Sequence, residues 1–371
     1  MRIAILTLPL HTNFGGILQC YALQTVLERM GHEIFVLDNA KWTSCTNLSL
    51  WKRSLLFARR LVKFYILHKE SKFYGGKSES QIIQHYIQPF INSHIHKLKI
   101  SSFKTISENQ FDAFIVGSDQ IWRPVYYTPI EDAFLEFAQS WNHIKRISYA
   151  ASFGVDEWEY SPEQTQKCIE LIKLFDAVSV REYSGIRLCK DYLQTEAIQV
   201  LDPTLLLTQN DYLKLIENIE KKNKGIFCYI LDKTKEKENI INNIIKEIKL
   251  QPFDVEIKLP QRHAPFEERI RLPVEKWICA FRDAQFVITD SFHGCVFSII
   301  FNNPFFVLAN TNRGKTRFES LLSMLSLENR LISQNVDNKT KLISKDINWT
   351  EVNIRLEELK KKSYSFLHQL K

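Results

Sequence analysis

The N-terminal stretch constrains the fold most. Arg2 to Leu8 is a continuous apolar run, the pattern of a strand buried on both faces of a parallel sheet rather than half-exposed. Asn13-Phe14-Gly15-Gly16 follows as a turn. Ile17 to Met30 then repeats apolar residues at near-helical spacing, and Gly31 ends the helix. Glu33 to Asp38 reads as a second strand, which completes a βαβ unit.

The alternation continues along the chain. Strands are expected at 111–116, 146–153, 177–180 and 198–201, and Ser161-Pro162 starts a helix with a serine cap and an N-terminal proline. A second series follows, with strands at 226–231, near 254–259, at 286–289 and at 305–309. Helices lie near 234–248, at 273–284 and from Cys295 to Phe301, and an amphipathic helix occupies roughly 349–371. The fold class is α/β, with two sequential sheets and a boundary near 203–210. Open α/β sheets bind ligands at the carboxyl ends of their strands. Polar clusters fall at those ends in both halves, so one site between two domains is expected.

With 371 residues, 45% of them hydrophobic, the chain can bury most of its apolar surface without covalent staples. Its net charge of +7 suits anionic substrates or a membrane surface and is too weak to indicate nucleic acid. Seven cysteines without a C-x-x-C pair argue against a disulfide framework or a zinc knuckle and fit reduced thiols in the cytoplasm. His94-Ile95-His96 puts two imidazoles on one strand face with no further ligand at hand, so no metal is expected. The start reads as a first strand rather than a secretory signal, because no small-residue cleavage site follows, and no apolar run is long enough to span a bilayer. Lys52 to Lys69 holds six Lys or Arg and no acid. That stretch is either a membrane-surface helix at the inner face of the membrane or a basic helix packed on the protein's own core.

Five clusters carry chemistry. Asn13, Gly15 and Gly16 let backbone N–H groups and a helix N-terminus face an anion or a sugar hydroxyl; the plainer reading is a tight turn. Gly117-Ser118-Asp119-Gln120-Ile121-Trp122 offers a carboxylate and an amide for hydroxyls and a ring for stacking, or else a helix cap with Trp122 in the core. Arg181, just past a buried strand, suits a carboxylate or phosphate, or a structural ion pair. Thr289-Asp290-Ser291-Phe292-His293-Gly294 places a polar quartet between a buried strand and a buried helix, where His293 can bind an anion or shuttle a proton. Arg313, Lys315 and Arg317 put three cations after the last strand, as an anion-binding loop or a solvated one.

These segments, together with Gln19 after the first glycine pair, Ser148-Tyr149-Ala150-Ala151-Ser152-Phe153-Gly154, Ser179-Val180-Arg181-Glu182 and Leu201-Asp202-Pro203-Thr204, stand in an order that resembles the polysaccharide pyruvyl transferase family across residues 1 to 330. The chain carries Phe292 where many relatives have Leu or Arg. The resemblance implies two Rossmann-like domains similar to the GT-B glycosyltransferase fold: 1–205 on the acceptor side, 206–345 on the donor side, and a C-terminal helix within 346–371 packing back on the first domain.

It also implies phosphoenolpyruvate as co-substrate, no cofactor and no metal. The acceptor would be a sugar of a bacterial surface glycan, such as an exopolysaccharide or capsule, or of its lipid-linked precursor. The product would be a cyclic pyruvyl ketal, with release of phosphate. The resemblance places the donor on Arg181 and His293, with Ser291 and Gly294 beside them; because the donor carries several negative charges, Arg313, Lys315 and Arg317 are further donor-binding candidates. The acceptor would be held by Asn13, Gly15, Gly16, Gln19, Ser118, Asp119, Gln120 and Trp122. His293, Arg181 and Asp119 would carry the chemistry. Two rivals are a nucleotide-sugar glycosyltransferase of the same fold and a membrane-associated glycan-binding protein without catalysis.

Overall fold

The computed structural model describes residues 1–39, 83–222, 224–254, 270–309, 314–332 and 346–370. The basic stretch Lys52 to Lys69, all but the first residue of the strand expected near 254–259, and Arg313 lie outside the described residues.

The chain builds two parallel sheets. The first contains β1 (Arg2–Leu6), β2 (Glu33–Asn39), β3 (Lys97–Ile100), β4 (Ala113–Gly117), β5 (Lys145–Ala151), β6 (Ala177–Val180) and β7 (Ile198–Gln199), in the order β3-β2-β1-β4-β5-β6-β7. The second contains β8 (Ile226–Tyr229), β9 (Pro252–Phe253), β10 (Phe286–Thr289), β11 (Phe305–Leu308) and β12 (Leu331–Ile332), in the order β12-β11-β10-β8-β9. Every pairing is parallel. Ile3 to Leu6, Phe114 to Val116, Val287 and Ile288 are fully buried, which is why these strands read as apolar runs without alternation. Both orders are doubly wound. Each has a point where the connection reverses direction, between β1 and β4 in the first sheet and between β8 and β10 in the second. Crevices form at the carboxyl ends of the strands at such points.

The helices α1 (Phe14–Arg29), α2 (Gln88–His94), α3 (Pro162–Ile172), α4 (Tyr183–Leu193) and α5 (Gln209–Lys214) precede the second sheet. The helices α6 (Lys235–Ile248), α7 (Val274–Asp283), α8 (Phe292–Ile300), α9 (Thr316–Met324) and α10 (Trp349–Leu367) follow β8. The expected cap at α3 is present: Ser161 Oγ accepts from the Gln164 N–H, and Gln164 closes the box. Two helices begin three residues earlier than helical periodicity alone predicts, α1 at Phe14 and α8 at Phe292. In α8 the Ser291 side chain caps the Gly294 N–H at 3.3 Å, which draws His293 into the first turn. In α1 the two glycines lower local propensity, but burial against the second domain fixes them as helix.

The two sheets share core. Phe14 of α1 stacks on Trp277 of α7 with centroids 5.7 Å apart. The Tyr183 N–H of α4 donates to Ser320 Oγ of α9 at 2.8 Å. The C-terminal helix α10 returns to the first sheet: the Leu201 N–H donates to Ser363 Oγ at 3.0 Å, and Tyr149 meets Phe366. The histidine pair at 94 and 96 does not share a strand face. His94 ends α2, whereas His96 precedes β3 and pairs with Glu28 at 2.9 Å. No group able to hold a metal ion and no helix long and apolar enough to cross a membrane occurs among the described residues.

Candidate active site

A cleft of about 390 Å³ opens where the carboxyl ends of the two sheets face each other. The first domain contributes Asn13, Asp119, Gln120 and Tyr126. The second contributes Arg271, Asp290, Ser291, Phe292, His293 and Arg317.

Beneath the cleft lies a buried charge cluster centred on Arg181, which is 3% exposed. Its Nη1 donates to Asp202 Oδ2 at 2.9 Å and its Nη2 to Asp119 Oδ1 at 3.4 Å. Its Nε stands 3.9 Å from Glu182 Oε2. Burial works against the guanidinium charge, but Asp119, Asp202 and Glu182 together outweigh it and raise the pKa of Arg181 above its ordinary value. Glu182 spends its other oxygen on Ser152 Oγ and on the N–H groups of Phe153 and Gly154. This braces the loop after β5.

Asp202 joins this cluster to the second domain. Its Oδ1 accepts from the Thr204 N–H and hydroxyl, and its Oδ2 lies 3.5 Å from His293 Nε2. Burial opposes the charged carboxylate, yet His293, Arg181 and Thr204 more than reverse that and hold its pKa far below the usual carboxylate range. His293 Nε2 is buried and faces Asp202 Oδ2 without a well-formed hydrogen bond, and the residue lines the cleft.

Two guanidinium groups lie over the Phe292 ring. Arg181 is 4.3 Å from its centroid and Arg317 is 5.6 Å. Arg317 is buried; its desolvation, with Arg181 close by, pushes its pKa down to about 10, so it still carries charge at neutral pH. On the second domain's wall, Asp290 accepts from the N–H groups of Leu231 and Asp232 and from Lys237 Nζ at 2.6 Å, which pins the turn after β8.

Two helix N-termini also meet the cleft. Ser291 caps α8. The Asn13 side chain leaves α1 without a side-chain cap and donates to Asp119 Oδ2 at 3.3 Å instead. Both ends carry partial positive charge, and neither helix has an acid in its first turn.

The family model for polysaccharide pyruvyl transferase matches residues 13–312, from the lip of this cleft through both sheets. The chain belongs to the polysaccharide pyruvyl transferase family. Among solved structures it is similar to Arabidopsis thaliana UGT89C1 complexed with UDP-L-rhamnose, with 10% identity, a TM-score of 0.52, and 99% of this chain and 97% of that one covered. UGT89C1 without a named ligand gives 11% identity, a TM-score of 0.50, and coverage of 99% and 98%. These likenesses speak of fold: two Rossmann-like domains in a GT-B-like arrangement. No curated protein matches the chain.

Within this pyruvyl transferase the expected residues divide. Asn13, Asp119, Gln120, Ser291, His293 and Arg317 converge on the cleft. Arg181 is not on the cleft wall; it is buried beneath it, with three carboxylates around it and Phe292 over it. Trp122, expected to stack on a sugar, is fully buried on Phe134, and its Nε1–H donates to the Ala133 carbonyl.

Gln19 and Ser118 brace the backbone and are not on the cleft wall. Gln19 Nε2 donates to Thr7 Oγ1 and the Gly16 carbonyl, its Oε1 accepts from the Ser118 N–H, and Ser118 Oγ donates to the Ala150 carbonyl. Gly15, Gly16 and Gly294 are buried packing positions in the first turns of α1 and α8. Lys315 pairs with Glu319 and stays off the cleft wall. Arg271 and Tyr126 were missed. Arg271 sits in no motif, and its cleft position depends on chain geometry such as its N–H bond to the Ile83 carbonyl. Tyr126 follows the Gly117–Trp122 segment, in which Trp122 is the nearer ring to the motif.

Proposed function

We propose that this pyruvyl transferase takes the pyruvyl group from phosphoenolpyruvate and closes it as a cyclic ketal on two hydroxyls of a glycan sugar. The observation that carries this reading is the convergence of Arg271, Arg317, His293 and the N-terminus of α8 on one side of the cleft, with the N-terminus of α1 meeting them from the first domain. Asp119, Asn13 and Gln120 occupy the other side. An anion with both phosphate and carboxylate needs several cations and dipoles. A neutral sugar needs acceptors and amides.

The reaction balances in two additions. A proton is added to C3 of the donor as one sugar oxygen bonds to C2, and positive charge builds at C2. The C2–O bond to phosphate then breaks, and the second sugar oxygen adds to C2. Of the two hydroxyl protons lost, one is accounted for on the new methyl group and the other on phosphate.

His293 is the proton carrier placed beside the anion, with Asp202 Oδ2 3.5 Å from its Nε2 to orient the ring. Arg317 and Arg271 hold the departing phosphate or the carboxylate. Asp119 is fixed by Asn13 and Arg181 and accepts from the attacking hydroxyl, orienting it. Burial keeps these charges strong, because water does not screen them.

Phosphate release from phosphoenolpyruvate, with a panel of oligosaccharide acceptors and UDP- and GDP-sugars as rival donors, tests the reading. Acceptor-dependent phosphate release with mass gain of one pyruvyl ketal, abolished in His293→Ala, supports it. Transfer from a nucleotide sugar instead overturns it.

A further inference from the structure

We propose that Tyr126 is the platform on which the acceptor sugar stacks, held in place by Arg123; this rests on the glycan-modifying reaction proposed above. The ring inventory of this segment singles Tyr126 out. Trp122 and Tyr127 are buried in the core, and Tyr160 hangs its hydroxyl on the Trp122 carbonyl at 2.7 Å. Tyr126 alone of these rings is 44% exposed, and it lines the cleft.

Its backbone is fixed by a turn. The N–H groups of Tyr126 and Tyr127 donate to the Arg123 carbonyl at 2.9 and 3.1 Å. Its ring is fixed too: the Arg123 guanidinium lies 5.2 Å from the ring centroid. Arg123 is locked in turn by a two-pronged pair with Glu159, both contacts 2.9 Å, and its Nη1 reaches Gln120 Oε1 at 3.5 Å. An exposed tyrosine normally samples several rotamers, and ordering it on binding costs affinity. Here the ordering is already done by the protein.

The chemistry fits a pyranose. One face of a sugar ring is a patch of C–H groups, which an aromatic face shields from water. The ring edge carries hydroxyls, which need the kind of groups that Gln120, Asn13 and Asp119 present on the same wall. Tyr126 lines the same cleft as Arg317, so a stacked sugar would sit beside the cation that holds the donor. One hub, Arg123, therefore sets both the stacking ring and the Gln120 amide.

Saturation-transfer NMR with the methyl glycosides of glucose, galactose and mannose tests this without the donor, on wild type and on Tyr126→Ala, Tyr126→Phe and Tyr126→Trp. The expected result is saturation of C–H protons on one face of at least one glycoside. Phe and Trp should retain it, and Ala should weaken binding about tenfold, which is about 1.4 kcal/mol. A parallel thermal shift with phosphoenolpyruvate should be the same in all four proteins. Binding in Tyr126→Ala within twofold of wild type, Tyr126→Phe as weak as Tyr126→Ala, or no glycoside saturated by wild type would each overturn the platform. Glycoside saturation that depends on Tyr126, with no thermal response to phosphoenolpyruvate, would uphold the platform and count against the donor assignment instead.

Discussion

Gly15 lies against the imidazole of His293: a Cβ built on Gly15 would fall 2.0 Å from Nδ1 and 2.2 Å from Cγ. The first turn of α1 in one domain thus touches the first turn of α8 in the other. Only a residue without a side chain lets the two helix ends come this close. The approach brings both positive helix ends to one imidazole, which is what an anionic donor requires.

That contact makes Gly15→Ala a sharp test. Helix propensity alone would favour Ala by about 0.8–1.0 kcal/mol. The clash is with the root of a packed ring, not a flexible tip, so overpacking costs about 1–3 kcal/mol and wins. The variant should unfold at lower urea than wild type and lose at least about tenfold in phosphate release. Adding His293→Gly should restore the urea midpoint without restoring transfer. An unchanged midpoint in the single variant would mean that the two helix ends are not in contact.

Arg181→Met leaves Asp119, Asp202 and Glu182 together in a dry interior. Removing one partner of a buried charge cluster costs about 3–5 kcal/mol. Arg181 is among the groups that hold the Asp202 carboxyl far below its ordinary range. That depression contributes stability that is complete above about pH 4, where an unfolded aspartate titrates, and is lost as pH falls below it. Without Arg181 the depression is smaller, so the variant has less of this stability to lose. Urea titrations at about pH 6 and about pH 3 should show the variant's deficit shrinking at the lower pH. A deficit that is equal at both would show that Asp202 does not depend on Arg181.

How much of this was legible before the fold was seen depends on whether a signal was local. The apolar run at Ile3 to Leu6 announced a doubly buried strand, because a parallel sheet covered on both faces has no alternation to hide. Asp119, Ser291 and His293 were legible because they end strands, and strand ends meet ligands in this architecture. The direction of a side chain was not. Trp122 and Tyr126 are both aromatic residues of one segment, and nothing local says that the first stacks on Phe134 while the second faces the cleft. Arg181 reads as a ligand group in isolation. Its three carboxylate partners come from positions 119, 182 and 202, and only the packed sheet brings them together. The helical start at Phe14 was hidden for the same reason, since the contact that favours it lies at His293.

Phe292 offers its ring to two cations, so its replacement should be felt in donor binding. Arg181 and Arg317 lie 4.3 and 5.6 Å from the ring centroid, and cation–π attraction is worth about 0.5–2 kcal/mol per contact. Phe292→Leu keeps an apolar side chain but removes the π face that orients Arg317. The KM for phosphoenolpyruvate should rise about threefold to thirtyfold with kcat little changed, because a binding cation loses aim while His293 stays in place. A fall in kcat at constant KM would instead place Phe292 behind the proton carrier.

The pair between Arg29 and Asp211 gives a pH dependence away from the cleft. Nη2 and Nη1 of Arg29, in the last turn of α1, reach Asp211 at 2.6 and 3.3 Å in the first turn of α5. Burial pushes the Asp211 carboxyl up, but Arg29 and the N–H and hydroxyl of Thr208 more than reverse this and hold it at about 2. An unfolded aspartate titrates near about 3.9. A depressed pKa contributes stability that is complete above that value and fades as pH falls from about 4 to about 2. Arg29 is half exposed, so solvent screening limits the pair to about 0.2–1 kcal/mol. Arg29→Met should therefore be less stable than wild type by that amount at pH 6, and the gap should close between about pH 4 and pH 2. Urea midpoints across that range measure it, and a gap that persists unchanged at pH 2 would show that Arg29 stabilises the α1–α5 junction by packing of its stem rather than by its charge.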